Sequence, residues 1–168
     1  MSDADSNKME SNIVDVFDLY AEQYDKWFET LEGKALFKTE VEAVRLIMKD
    51  LRKPFLEVGV GTGRFAKELE IEFGIDPSQR ALEIAEKRGI KVRNAKGEDL
   101  PFKDGTFGAV FILFTLCFVD NPLMVLAEAK RTLKKGGGLI VGIINRESRP
   151  WGQIYMRKKA ESHPIYRN

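Results

Sequence analysis

Three glycines at alternate positions carry the sharpest chemical signal in the chain. They stand in E-V-G-V-G-T-G, residues 57 to 63, between a short apolar strand pattern, Phe55 to Val58, and a helical pattern, Arg64 to Leu69. Gly59, Gly61 and Gly63 lack a Cβ, so the backbone can turn tightly and a ligand can approach it closely. The first amides of the helix beyond are unpaired, and its positive dipole end suits a carboxylate or a phosphate. Asp76 is the second element. It follows Gly59 by 17 residues, in G-I-D-P-S at the end of a second strand pattern, Glu72 to Ile75. A carboxylate there can accept hydrogen bonds from two neighbouring ribose hydroxyls. Asp76 with Pro77 and Gln79 also fits a helix-capping box. A dinucleotide fingerprint would need glycine at the position of Arg64.

Residue supply excludes other chemistries. Cys117 is the only cysteine and His163 the only histidine. A disulfide within the chain, a cysteine zinc site and a multi-histidine metal site are therefore ruled out. A Ser/His/Asp triad would have to use His163, near the C-terminal end, although a triad needs a rigidly held histidine. Cys117 reads as a small apolar packing residue. The 27 basic and 26 acidic residues leave a net charge of +1, with no global pull toward nucleic acid or a membrane surface. The first ten residues are polar and lack the basic start and apolar stretch of a signal peptide. The longest apolar run, Ala109 to Val119, is about half the roughly 20 residues that span a bilayer. A cytoplasmic protein without a metal is expected.

The rest of the chain supplies the scaffold. Apolar residues recur at helical spacing from Ile13 to Phe28 and again after Gly33, through Phe37, Val41, Val44 and Met48, until Pro54. Further strands are expected at Ile90 to Asn94, Ala109 to Leu116 and Leu139 to Ile144. Helices are expected at Pro77 to Arg88 and, capped by Asn121, at Pro122 to Lys135, ended by glycines 136 to 138. Strands alternating with helices imply an α/β fold, a parallel sheet with helices on both faces. The expected organisation is one domain: a disordered tail at 1–10, an N-terminal helical lid at 11–53, an α/β core at 54–145 and a basic tail at 146–168.

The glycine loop resembles motif I of the class I S-adenosylmethionine-dependent methyltransferases. The resemblance implies a Rossmann-like sheet whose loop, Gly59, Val60, Gly61 and Gly63, wraps the methionine part of S-adenosyl-L-methionine. It implies that Glu57 helps to orient the cofactor's amino group and that Asp76, followed by Pro77, takes the ribose. G-E-D-L-P-F, residues 97 to 102, resembles the adenine-binding segment, which brings in Gly97 and Glu98. A-E-Q-Y-D-K-W-F, residues 21 to 28, resembles the lid of ubiquinone- and menaquinone-pathway methyltransferases, which places Tyr24 on the cofactor. Residues 125 to 141 match the family's helix and fifth strand. Phe114 and Thr115, near the end of the expected fourth strand, complete the expected cofactor contacts, and S-adenosyl-L-homocysteine is the implied product.

Two positions depart from the family. Lys96 stands where a carboxylate would accept from the adenine amino group, and a lysine cannot accept. Gly108 replaces a commonly structural aspartate, which implies a locally altered sheet edge. The segment from Phe114 to Phe118 has neither N-P-P-Y nor a Pro-Cys nucleophile, so a small, partly apolar methyl acceptor is expected and nucleic acid is not. Tyr24, Trp27 and Phe118 suit either the acceptor site or the core. Two other classes stay open: a non-catalytic module of the same fold, and a nicotinamide-dependent oxidoreductase, which Arg64 disfavours. Only 24 residues follow Ile144, too few for the helix and antiparallel strand pair that complete the family's sheet. The fifth-strand edge is therefore expected to pair with another chain or to be covered by the tail, the alternatives being a piece of a longer protein or a reduced soluble monomer.

Overall fold

The computed structural model of the chain describes residues 17–144. Helix α1 covers residues 17–27 and α2 covers Leu31–Ile47. Strand β1 (Phe55–Val58), helix α3 (Arg64–Glu68), strand β2 (Phe73–Asp76), helix α4 (Gln79–Lys87) and strand β3 (Lys91–Asn94) follow. Strand β4 (Phe107–Leu113), helix α5 (Pro122–Thr132) and strand β5 (Leu133–Gly142) complete the order. The strands form one parallel sheet in the order β3-β2-β1-β4-β5. The chain runs outward through β2 and β3 on one side of β1 and through β4 and β5 on the other. A crevice therefore opens at the C-terminal ends of β1 and β4, where open α/β sheets bind ligands.

Period-two alternation divides the core between the two faces. Phe55, Ala109, Phe111 and Ile140 pack with Val41 and Val44 of α2, Ala66 of α3 and Leu82 and Ala85 of α4. Leu56, Val58, Val110 and Ile112 pack on the other face with Val125 and Ala129 of α5. All seven residues of β4 are buried, as an apolar strand covered on both faces should be.

Several boundaries differ from the expected ones. Gly33 lies inside α2, where a Cβ would strike the Trp27 carbonyl. Strand β4 stops at Leu113 because Phe114 adopts a left-handed φ of +59° and leaves the strand direction. Helix α5 ends at Thr132, and β5 begins one residue later. The Lys-Lys-Gly-Gly stretch is an excursion within β5: Phe107 to Ala109 of β4 is matched by Leu133 to Gly138 of β5. Pairing with β4 thus overrides the helical pattern at 133 to 135. The outer side of β5 has no partner strand among the described residues, and Leu139 and Val141 are exposed there. The expected terminal tails lie outside the described residues, as does the start of the expected lid helix.

Gly108 sits opposite that excursion. Its missing Cβ makes room for the Arg52 carbonyl, which a side chain would overlap. The substitution Gly108→Ala is therefore expected to destabilise the fold by about 3 kcal/mol or more, the upper range of overpacking, because the obstruction is backbone. Equilibrium denaturation measures this, and an unchanged midpoint would show that Arg52 can move aside.

Candidate functional site

The glycine loop lies at the crevice, pinned from below. The Gly59 and Val60 amides both donate to the Ile75 carbonyl, at 2.8 and 2.9 Å. Gly59, Gly61 and Gly63 all have positive φ, at 75°, 50° and 79°, so a side chain at any of the three would be strained. A Cβ at Gly59 would also run into Thr115, whose hydroxyl donates to the carbonyls of Leu113 and Gly59. A Cβ at Gly61 would meet nothing within 4 Å, so this part of the loop borders open space. The sequence grouped Val60 with the cofactor contacts, but its side chain is buried against Gly74 in the core, and its amide and carbonyl are bonded to Ile75 and Gly63.

Two carboxylates flank the loop. Glu57 of β1 is 2% exposed, and the Ala66 amide in the first turn of α3, whose N-cap Gly63 has no side chain to offer, favours its ionised form. Its Oε2 is buried and has no hydrogen-bond partner among the described residues. Burial raises its pKa well above the usual carboxylate range, and repulsion from Asp76 adds to the rise. Asp76 accepts from the Gly61 amide through Oδ2 and from the Ser78 amide through Oδ1, both at 2.9 Å. Burial pushes its pKa up to about 6 against those two bonds, with a further push from Asp18. Ser78, not Asp76, is the N-cap of α4, its hydroxyl accepting from Ala81. The capping-box reading of Asp76 is thus removed: one carboxylate oxygen bonds the glycine loop and the other the Ser78 amide.

The other expected site residues make contacts of their own. Pro77 follows Asp76 and accepts from the Asn94 side chain. Gly97 is packed where a Cβ would come within 3.0 Å of Val58 and 3.2 Å of Val125. Glu98 is engaged elsewhere through one oxygen. Its Oε1 accepts from the amides of Asp120 and Asn121, tying the segment after β3 to the start of α5. Phe114 packs on Phe65 at 5.6 Å. Tyr24 is 42% exposed and sits edge-on to Phe28, as does Trp27. Phe118 meets Phe17 of α1 at 5.2 Å. Cys117 is exposed, with its thiol donating to the Phe114 carbonyl, so it does not pack in the core.

Sequence reasoning missed the polar contacts that seat α1 on this site. Asp25 bonds Thr62, Arg64 and Arg88, while Asp18 bonds Ser78 and the Arg80 amide. The available signal was a carboxylate in Y-D-K-W, on an otherwise aromatic stripe, together with an arginine directly after the last loop glycine. Among the described residues no cluster of His, Cys, Asp and Glu could hold a metal ion, and no helix is long and apolar enough to cross a membrane.

Comparison with known proteins agrees with this geometry. Residues 56–141 match the family model described as a methyltransferase domain. An uncharacterised protein of Methanocaldococcus jannaschii is 51% identical over 89% of this chain and 70% of its own length. A demethylmenaquinone methyltransferase of Thermotoga maritima is 33% identical over 80% of this chain and 62% of its own length. The chain spans about half the length of its mycobacterial relatives, at 52%. A solved structure from Thermotoga maritima, an S-adenosylmethionine-dependent methyltransferase described as a possible histamine N-methyltransferase, superposes with a TM-score of 0.77 at 43% identity. The match covers 87% of this chain and 68% of that one. With the parallel sheet, the glycine loop and the carboxylate at the end of β2, these matches show that the chain belongs to the class I S-adenosylmethionine-dependent methyltransferase family.

Proposed function

We propose that the chain transfers a methyl group from S-adenosylmethionine to a small, partly apolar acceptor entering past residues 114–118. The observation that carries the cofactor half is the unmatched acceptor at Glu57. A buried carboxylate oxygen without a donor is costly, and an ammonium group supplies the missing donor. Asp76 complements it: each oxygen accepts only one amide bond, which leaves capacity for the two hydroxyls of a ribose. Gly59, Gly61 and Gly63 admit the ligand along the backbone, Gly97 and Glu98 border the base, and Tyr24 and Thr115 close the sides. When bound, the cofactor supplies an electrophilic sulfonium methyl group, so the protein has only to bind, orient and exclude water. A general base is needed only for an acceptor that is protonated at the working pH.

The acceptor half rests on the mouth of the crevice. Phe118, past the end of β4, meets Phe17 of α1 edge to face, and Leu116 and Val119 join the apolar cluster on the α5 side. Such a border suits a compact, partly apolar molecule. Relatives described as acting on demethylmenaquinone and, in one case, as a possible histamine N-methyltransferase point the same way. Methyl-labelled S-adenosylmethionine, offered with a panel of small amines, phenols and quinols, tests this reading. Label transfer with release of S-adenosylhomocysteine is expected for at least one of them. Transfer only to protein or nucleic acid would overturn the acceptor class, and binding without transfer to any acceptor would favour a non-catalytic module.

A further inference from the structure

We propose that Asp25 is a positioning residue for cofactor binding, one that docks helix α1 on the glycine loop through Thr62 so that lid and loop become ordered together. One carboxylate gathers three elements. Asp25 Oδ1 accepts from the Thr62 hydroxyl and from Arg64 Nε, each at 2.7 Å. Its Oδ2 accepts from Arg64 Nη2 at 2.9 Å and Arg88 Nη2 at 2.8 Å. Arg64 opens α3 and Arg88 caps the C-terminus of α4. Arg64 also donates to the Asp25 carbonyl and to Glu29, and Arg88 donates to the Thr62 carbonyl at 2.5 Å.

Thr62 is what makes this more than an ion-pair cluster. It is buried between Gly61 and Gly63, in a stretch whose glycines carry a large conformational freedom that binding must remove. Its side chain is held by the lid and its carbonyl by α4. The next residue back, Gly61, donates its amide to Asp76. A short chain of contacts therefore runs from α1 through Thr62 to the carboxylate expected to take the ribose.

The other end of α1 is fixed beside the same carboxylate. Asp18 accepts from the Ser78 hydroxyl and from the Arg80 amide, and Arg80 pairs with Glu22. The helix thus bridges the loops that follow β1 and β2. Burial raises the Asp25 pKa, but hydrogen bonds from Arg64, Arg88 and Thr62 outweigh it and hold the carboxyl well below the usual range. The contact stays ionised across neutral pH. The Asp25 and Arg64 side chains are only 17% and 16% exposed, so salt screens the pair weakly. By linkage, whatever orders the loop must favour the docked lid by the same factor.

The affinity part of the test rests on the function proposed above, whereas the exchange part does not. Thr62→Val keeps the branched shape and both arginine contacts of Asp25 and cuts only the hydroxyl link. In the ligand-free chain, amides of residues 17–27 and 59–63 are expected to lose protection together, by roughly tenfold, with little change in melting temperature. Affinity for S-adenosylmethionine should fall by roughly five- to twentyfold. Thr62→Ser, which restores the hydroxyl, should recover both. Combining Thr62→Val with Asp25→Asn should cost less than the product of the two single losses. Unchanged protection of residues 17–27 in Thr62→Val, or losses that simply multiply, would overturn the proposal. A wild-type chain without affinity for S-adenosylmethionine would count against the proposed function, and the exchange result would still decide the coupling.

Discussion

Replacing Glu57 with glutamine is expected to weaken S-adenosylmethionine binding roughly tenfold to hundredfold, the scale of about 1.5–3 kcal/mol for a hydrogen bond to a charged group. The same change should raise the melting temperature of the free protein. The two effects have one cause. Burial raises the Glu57 pKa well above its ordinary value, so above its unfolded pKa the ionised side chain is less favourable in the folded chain than in the unfolded one. That costs stability at neutral pH, and glutamine does not incur it. Glutamine keeps the shape and an acceptor oxygen beside the Ala66 amide, but it cannot offer an anion to an ammonium group. Calorimetric titration and thermal denaturation on the same preparation check both signs. Weaker binding accompanied by a lower melting temperature would show Glu57 to be a structural cap alone.

Replacing Asp76 with alanine should weaken binding by about 1–3 kcal/mol, the cost of losing charged hydrogen bonds. It should also abolish a dependence on pH. The Asp76 pKa, at about 6, lies above the value of about 3.9 for an unfolded aspartate. Stability that the free protein holds below pH 4 is therefore lost as pH rises toward 6. Binding runs the opposite way, because hydroxyl donors need the ionised carboxylate. Affinity in the unaltered chain should be flat above about pH 7 and fall by up to roughly tenfold per unit below 6. A flat profile across pH 5 to 8, or an alanine variant with unchanged affinity, would remove Asp76 from the site.

The loop and its carboxylates were legible because they are local. E-V-G-V-G-T-G lies within seven residues, and the strand that carries Asp76 to the loop is the next strand in the chain. What stayed hidden depends on pairs far apart in sequence. Asp25 meets Arg64 and Arg88 across 39 and 63 positions, and no spacing rule connects them. Arg64 was informative only as a missing glycine, although its structural role is to anchor the lid. The end of α5 was misplaced for a different reason. Thr132 to Lys135 continue a helical pattern, but pairing of Leu133 with Phe107 draws the chain into the sheet. Val60 was grouped with the ligand because the loop is read by backbone, and the alternation that turns its side chain into the core shows only once β2 lies beside it.

The most direct test of the account is a calorimetric titration of the full chain with S-adenosylmethionine, S-adenosylhomocysteine and NAD. One cofactor per chain should bind for S-adenosylmethionine and its product, and no heat should be seen with NAD. Saturable binding of NAD, with none for S-adenosylmethionine, would contradict the account.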